Sequence, residues 1–219
     1  AIARRAAAGS VVHGFDVSPG LVETARQRAA ECDVEVAFSV ADMSTAAPPG
    51  EPFDRLASRF GVMFFEDPSA AFRNLASWLA PGGRFAFAVW GPPADNPMSV
   101  VRNVVASLVD LPPSDPQAPG PFRYADADAF RTLLLASGFT DVQAHPWRGS
   151  LGIGGNLGPD AAAAFALRAF SVADPLSRED DAVREQAHQA LRRRFEAHVT
   201  DGAVRLPASV HLVTGSTAR

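Results

Sequence analysis

Short β-branched and aromatic runs alternate along the first ninety residues with stretches in which apolar positions recur at helical spacing. Ser10-Val11-Val12-His13-Gly14-Phe15 predicts a strand ending on Asp16. Ser18 is then placed as an N-cap with Pro19 at the first helical position, and Leu21, Val22, Ala25 and Ala29 form one apolar face. A second apolar run over 34–40 predicts a strand ending on Ala41-Asp42-Met43, and 44–52 reads as a Pro/Gly/Ala loop. A third strand is predicted over 53–61. Asp67-Pro68 opens a helix carrying Phe72, Leu75 and Leu79 on one face, Pro81-Gly82-Gly83 stops it, and 84–90 is a fourth strand. Ala- and Arg-rich 1–8 reads as the end of a helix closed by Gly9. Strand, helix, strand in this order predicts a parallel α/β sheet with right-handed crossovers.

The pattern changes at Gly91. Helices are predicted over 98–111, 126–137, 160–172 and 178–199, the last with a capping-box-like start at Ser177. A loop with five prolines lies at 112–121, a strand at 141–147, a glycine-rich turn at 149–158, and a last strand at 204–214. This divides the chain into an α/β core over 1–90, a helical cap over 91–203 that includes the core strand 141–147, and a final core strand over 204–219.

Composition narrows the picture in three ways. The 219 residues suffice for a substantial core, and a net charge of −4 supplies no basic footprint for nucleic acid. Every cation is Arg and Ala is abundant, as expected of a GC-rich bacterial genome. The lone Cys32 rules out an internal disulfide and any cysteine cluster for metal, and reads as a buried or half-buried structural thiol. No apolar run reaches the roughly 18 residues that span a bilayer, and no signal-peptide pattern opens the chain, so a cytoplasmic protein is the expectation.

The candidate chemistry lies at the strand ends. Ligands of open α/β sheets sit outside the carboxyl ends of the strands, where Asp16 and Asp42 would face one crevice. A carboxylate after one strand can accept from both hydroxyls of a ribose. Short Asp42 followed by apolar Met43 suits the edge and face of an adenine. The residue-level alternative is that both are simply strand-end carboxylates. An NAD-dependent oxidoreductase also grips ribose through such an acid, and stands as a second reading.

Taken together, Gly14-Phe15-Asp16-Val17-Ser18-Pro19, Ala41-Asp42-Met43, Phe53-Asp54, Arg59-Phe60-Gly61-Val62-Met63-Phe64-Phe65 and Leu79-Ala80-Pro81-Gly82-Gly83 resemble the class I S-adenosylmethionine-dependent methyltransferases, in particular small-molecule members of the ubiquinone/menaquinone-biosynthesis type. The resemblance implies a Rossmann-like, seven-stranded, mostly parallel sheet with an antiparallel C-terminal hairpin and a helical lid. It implies that Asp16 holds the ribose of S-adenosyl-L-methionine, that Val17 and Met43 sandwich the adenine, and that Asp42 accepts from the adenine amino group. Arg59 and Phe60 would approach the methionine end, with Phe64 or Met63 beside it. The family's first strand and its glycine-rich loop do not occur in the sequence, so an N-terminal truncation, or the ordered part of a longer chain, is expected. A non-catalytic methyltransferase-like partner protein is the corresponding third reading.

Methyl transfer to an oxygen or carbon acceptor can use a base. His145 and His211 lie on the two late strands where a substrate pocket could open, while Arg59 could orient an anionic substrate. His13 reads as structural, and His188 and His198 as solvent-facing. Phe122, Tyr124, Trp147, Phe165 and Phe170 suggest a small apolar or aromatic acceptor. No metal cluster is visible, a membrane span is not expected, and homodimerisation is open.

Overall fold

The computed structural model describes residues 2–219. Seven strands and seven α-helices follow one another as β1 (His13–Asp16), α1 (Pro19–Glu31), β2 (Ala37–Val40), β3 (Phe53–Arg59), α2 (Pro68–Ser77), β4 (Leu79–Trp90), α3 (Pro97–Ala106), α4 (Ala127–Ala136), β5 (Phe139–Gly152), α5 (Pro159–Ala169), α6 (Ala173–Ser177), α7 (Asp181–Glu196), β6 (Val199–Thr200) and β7 (Ala203–Thr217). Short 3-10 turns lie at Ala3–Arg5, Val62–Phe64 and Pro93–Asp95.

The helices start where side chains satisfy the otherwise orphaned N–H groups of a first turn. The Ser18 hydroxyl accepts from the Leu21 N–H at 3.3 Å, and Asp67 accepts from the Ala70 N–H at 3.0 Å. Asp126 accepts from both Asp128 and Ala129. Four helices have a proline at their start, α1, α2, α3 and α5, where the missing donor costs nothing.

The strands form a five-stranded sheet in the order β3-β4-β7-β5, with β6 on β7, and a separate two-stranded sheet of β1 and β2. β1/β2 and β3/β4 are parallel, whereas β4/β7 and β5/β7 are antiparallel. The expectation of one seven-stranded sheet is therefore corrected to a sheet of five. No ladder joins β1 to β3 among the described residues. Aromatic rings make that junction instead: Phe15 meets Trp78 edge-on at 5.0 Å and Phe53 at 6.2 Å. Side-chain packing holds the two sheets together there, where backbone pairing at about 4.8 Å would require adjoining strands.

Two hydrophobic clusters support the sheet. One gathers Met63, Phe72, Phe87, Phe130, Phe139 and Val213 between the sheet and helices α2 and α4. Phe72 is fully buried, with the rings of Phe65, Phe87, Tyr124 and Phe130 at 5.5–5.8 Å. The other is built from α3, α5 and α7 around Val101, Ala166, Leu191 and Phe195, with Val204 and Leu206 of β7.

Several boundaries differ from the sequence reading. Helix α2 ends at Ser77, and Leu79 already belongs to β4, opposite Phe53. The stretch read as a glycine-rich turn is strand as far as Gly152, because Gly149 to Gly152 pair with Ala208 to Arg205. Helix α7 is capped by Asp180, whose carboxylate accepts from Val183 at 2.8 Å, rather than by Ser177. Cys32 is exposed, since it sits in the C-terminal cap of α1 and not on its apolar face.

Candidate active site

Parallel pairing of β1 with β2 brings the two predicted acids to one edge. Asp16 is the register partner of Val40, and the Ala41 N–H donates to the Asp16 carbonyl at 3.0 Å. Asp42 thus leaves β2 beside the point where Asp16 leaves β1. Each acid is fixed by a turn of its own. One Asp16 carboxylate oxygen accepts from the Ser18 N–H at 2.8 Å. One Asp42 oxygen accepts from the Ser44 hydroxyl at 2.6 Å and the Ser44 N–H at 2.9 Å. In both acids the second oxygen makes no hydrogen bond among the described residues.

These two bonds to Ser44, the hydroxyl first and the backbone second, hold the Asp42 carboxyl below its ordinary value of 3.8. Hydrogen bonds to the charged form favour that form. The following loop is tied to α2: the Asn74 amide donates to the Met43 and Ala46 carbonyls at 3.1 and 2.9 Å, and the Trp78 indole N–H donates to Ala46 at 3.0 Å. Met43 packs against the sheet cluster, half-buried. Val17, in contrast, is 69% exposed beside Asp16, so an apolar face stands open next to two acceptor oxygens.

At the end of β3, Phe60 adopts a left-handed backbone with φ of 61°. Its N–H still donates to the Ala88 carbonyl at 2.9 Å, and its ring stacks on Trp90 at 4.1 Å with planes 6° apart. Arg59 points to solvent and makes no ion pair among the described residues. Met63 is buried in the core, while Phe64, one residue on, is 53% exposed.

Phe64 and Trp90 border a cavity of about 440 Å³ that Met98, Phe170, Ser171 and Asp174 close from the helical side. Its place, outside the carboxyl ends of β3 and β4, is where an open α/β sheet presents its ligand site. Neither candidate histidine lines it. His145 is exposed on β5, and the His211 Nε2 hydrogen-bonds the Ala125 carbonyl at 2.9 Å. Tyr124, proposed from the sequence to face an acceptor, is buried in the sheet cluster, and its hydroxyl has no partner among the described residues. Burial pushes it up to about 12. Trp147 lies on β5, outside the cavity lining, with 38% of its surface exposed.

Trp90 and Asp174 were missed in the sequence. The strand-end rule applied to β4 would have found Trp90, whereas Asp174 lies on the five-residue helix α6, too short to leave a periodic signal.

Residues 1–83 match the methyltransferase domain family. The match covers the first part of the chain, and the α/β fold is the Rossmann-like one of solved methyltransferase structures. Among individual proteins, it is 29% identical over 132 residues to phosphoethanolamine N-methyltransferase 1 of Arabidopsis thaliana, an alignment covering 60% of this chain and 24% of that one. It is 29% identical over 150 residues to the demethylmenaquinone methyltransferase of Thermus thermophilus, covering 61% of this chain and 66% of the relative. A structure of the Haemonchus contortus phosphoethanolamine N-methyltransferase 2, in complex with phosphomonomethylethanolamine and S-adenosylhomocysteine, superposes with a TM-score of 0.52 at 15% identity, over 96% of this chain and 44% of that one. The chain therefore spans about a quarter of the plant relative and less than half of the nematode structure. No helix among the described residues is long and apolar enough to cross a membrane.

Proposed function

We propose that this chain transfers a methyl group from S-adenosylmethionine to a small, apolar or aromatic acceptor seated in the cavity between β4 and the helical cap. The observation that carries this reading is the pairing of Asp16 with Val40, which sets two turn-fixed carboxylates side by side with one free oxygen each. Asp16 would hold the ribose hydroxyls and Asp42 the adenine amino group, with Val17 and Met43 on the faces of the ring. Phe60, Arg59 and Phe64 would border the methionine end. Residues 1–90 would serve as the cofactor core, 91–203 as the cap and 204–219 as the last core strand, in a cytoplasmic protein.

The bound cofactor supplies a methyl group on a positively charged sulfur, open to in-line attack. The chain's own part is positioning and exclusion of water. Phe64 and Trp90 line one side of the cavity and Phe170 the other, so an acceptor would be held against the strand ends by apolar walls. No histidine borders that space, which favours an acceptor that needs no buried general base.

Isothermal titration with S-adenosylhomocysteine tests the reading. Binding by the wild type, weakened about tenfold or more by Asp16→Ala as expected for loss of a charge-assisted hydrogen bond, is the expected result. Binding of NAD in place of S-adenosylhomocysteine would overturn it, and binding of neither would favour a non-catalytic partner protein.

A further inference from the structure

The cavity wall has a chemical bias. Three aromatic residues, Phe64, Trp90 and Phe170, line it together with the thioether of Met98, and Asp174 is its single ionisable group. No arginine borders the cavity: Arg59 is exposed at the end of β3, and Arg123 donates to the Phe65 and Glu66 carbonyls. Asp174 makes no ion pair among the described residues. An anionic acceptor placed here would meet a like charge and no counter-charge. A cation would meet an acidic residue among aromatic side chains, a lining that suits it.

We infer that the acceptor site selects molecules with an apolar or aromatic body and a protonated amine, and discriminates against carboxylated or phosphorylated ones. This rests on the methyl-transfer reading of the same cavity. Asp174 is the specificity-determining residue, with the aromatic walls adding attraction for the cation.

Tyramine and 4-hydroxyphenylacetate form a suitable pair of probes, since they share a ring and differ in the sign of the side-chain charge. Their binding is followed by titration calorimetry in the presence of S-adenosylhomocysteine, whose own binding is measured first. That order separates the two claims: failure of the cofactor to bind counts against methyl transfer, whereas the probe preference reports on the cavity alone. Tyramine is expected to bind about tenfold more tightly than 4-hydroxyphenylacetate, with a preference that shrinks at high salt, as for a partly exposed ion pair reinforced by aromatic faces. Asp174→Asn should abolish the preference and Asp174→Arg should reverse it, without changing the affinity for S-adenosylhomocysteine. A wild-type preference for 4-hydroxyphenylacetate, equal affinity for the two probes, or a tyramine preference that survives in Asp174→Asn would overturn the inference.

Discussion

The rings of Phe60 and Trp90 lie face to face, 4.1 Å apart and within 6° of parallel, and Phe60 reaches that position from a left-handed backbone. Such a conformation costs a residue with a Cβ about 1–2 kcal/mol, and a well-placed aromatic pair returns about 0.5–1.5 kcal/mol beyond its buried area. The stack therefore offsets much of the strain at the strand end. Phe60→Ala and Phe60→Gly both remove the ring, but only glycine releases the backbone. Urea denaturation should rank the glycine variant about 1 kcal/mol above the alanine variant, the reverse of the order at an ordinary position.

Asn96 is buried and ties the turn after β4 to β7. Its amide donates to the Gly91 and Pro92 carbonyls at 3.1 and 2.8 Å, and its carbonyl accepts from the Ser209 N–H of β7 at 2.9 Å. Asn96→Ala strands those groups and should cost about 2–4 kcal/mol. Asn96→Asp keeps an acceptor for Ser209 but sets a carboxylate against two carbonyl oxygens, so it should be the more damaging change at pH 7. Its folded-state pKa would be raised, so the variant's stability should recover as the pH falls towards 4, seen as a rising Tm.

Removing the Tyr124 hydroxyl should not harm the protein. The group is buried without a partner among the described residues, so Tyr124→Phe is expected to be neutral or to stabilise by about 1 kcal/mol. The phenol titrates near 10.0 when unfolded and at about 12 when folded. The folded state thus keeps a proton that the unfolded state releases, and the associated stability is lost as the pH rises from 10 towards 12. That component is roughly 3 kcal/mol, and thermal melts of Tyr124→Phe should lack it.

Asp42 titrates low because of Ser44. Ser44→Ala deletes the larger of the two bonds and leaves the backbone one, so the carboxyl should move upwards without fully reaching 3.8. A depressed folded pKa contributes stability above the unfolded value that disappears as the pH falls through the folded one. The variant should lose it at higher pH than the wild type. Carboxyl-carbon NMR titration reads the shift directly.

Local signals in the sequence located what local physics decides. Ser18-Pro19 and Asp67-Pro68 marked two helix starts because an N-cap side chain and a proline act within a single turn. The acids Asp16 and Asp42 were legible as strand-end groups, and parallel pairing of β1 with β2 brings those ends together. Long-range pairing was not legible. Gly149 and Gly152 look like turn residues, yet β7 supplies the hydrogen bonds that hold them in β5. The break between β1 and β3 depends on which strand edges meet, and the Phe15–Trp78–Phe53 contacts at that junction come from segments tens of residues apart. Asp174 stayed hidden for the same reason: its position at the cavity follows from how the cap helices pack on the sheet.

β7 belongs to both hydrophobic clusters: Val204 and Leu206 enter the helical one, and Val213 enters the one beneath the sheet. A single extended strand is thus a common spine for the two clusters. The helices packed on Val204 and Leu206 are tied to a strand that pairs with both β4 and β5. Heat should melt both clusters in one calorimetric transition, and damage to either should be felt by the other through fifteen residues of continuous backbone.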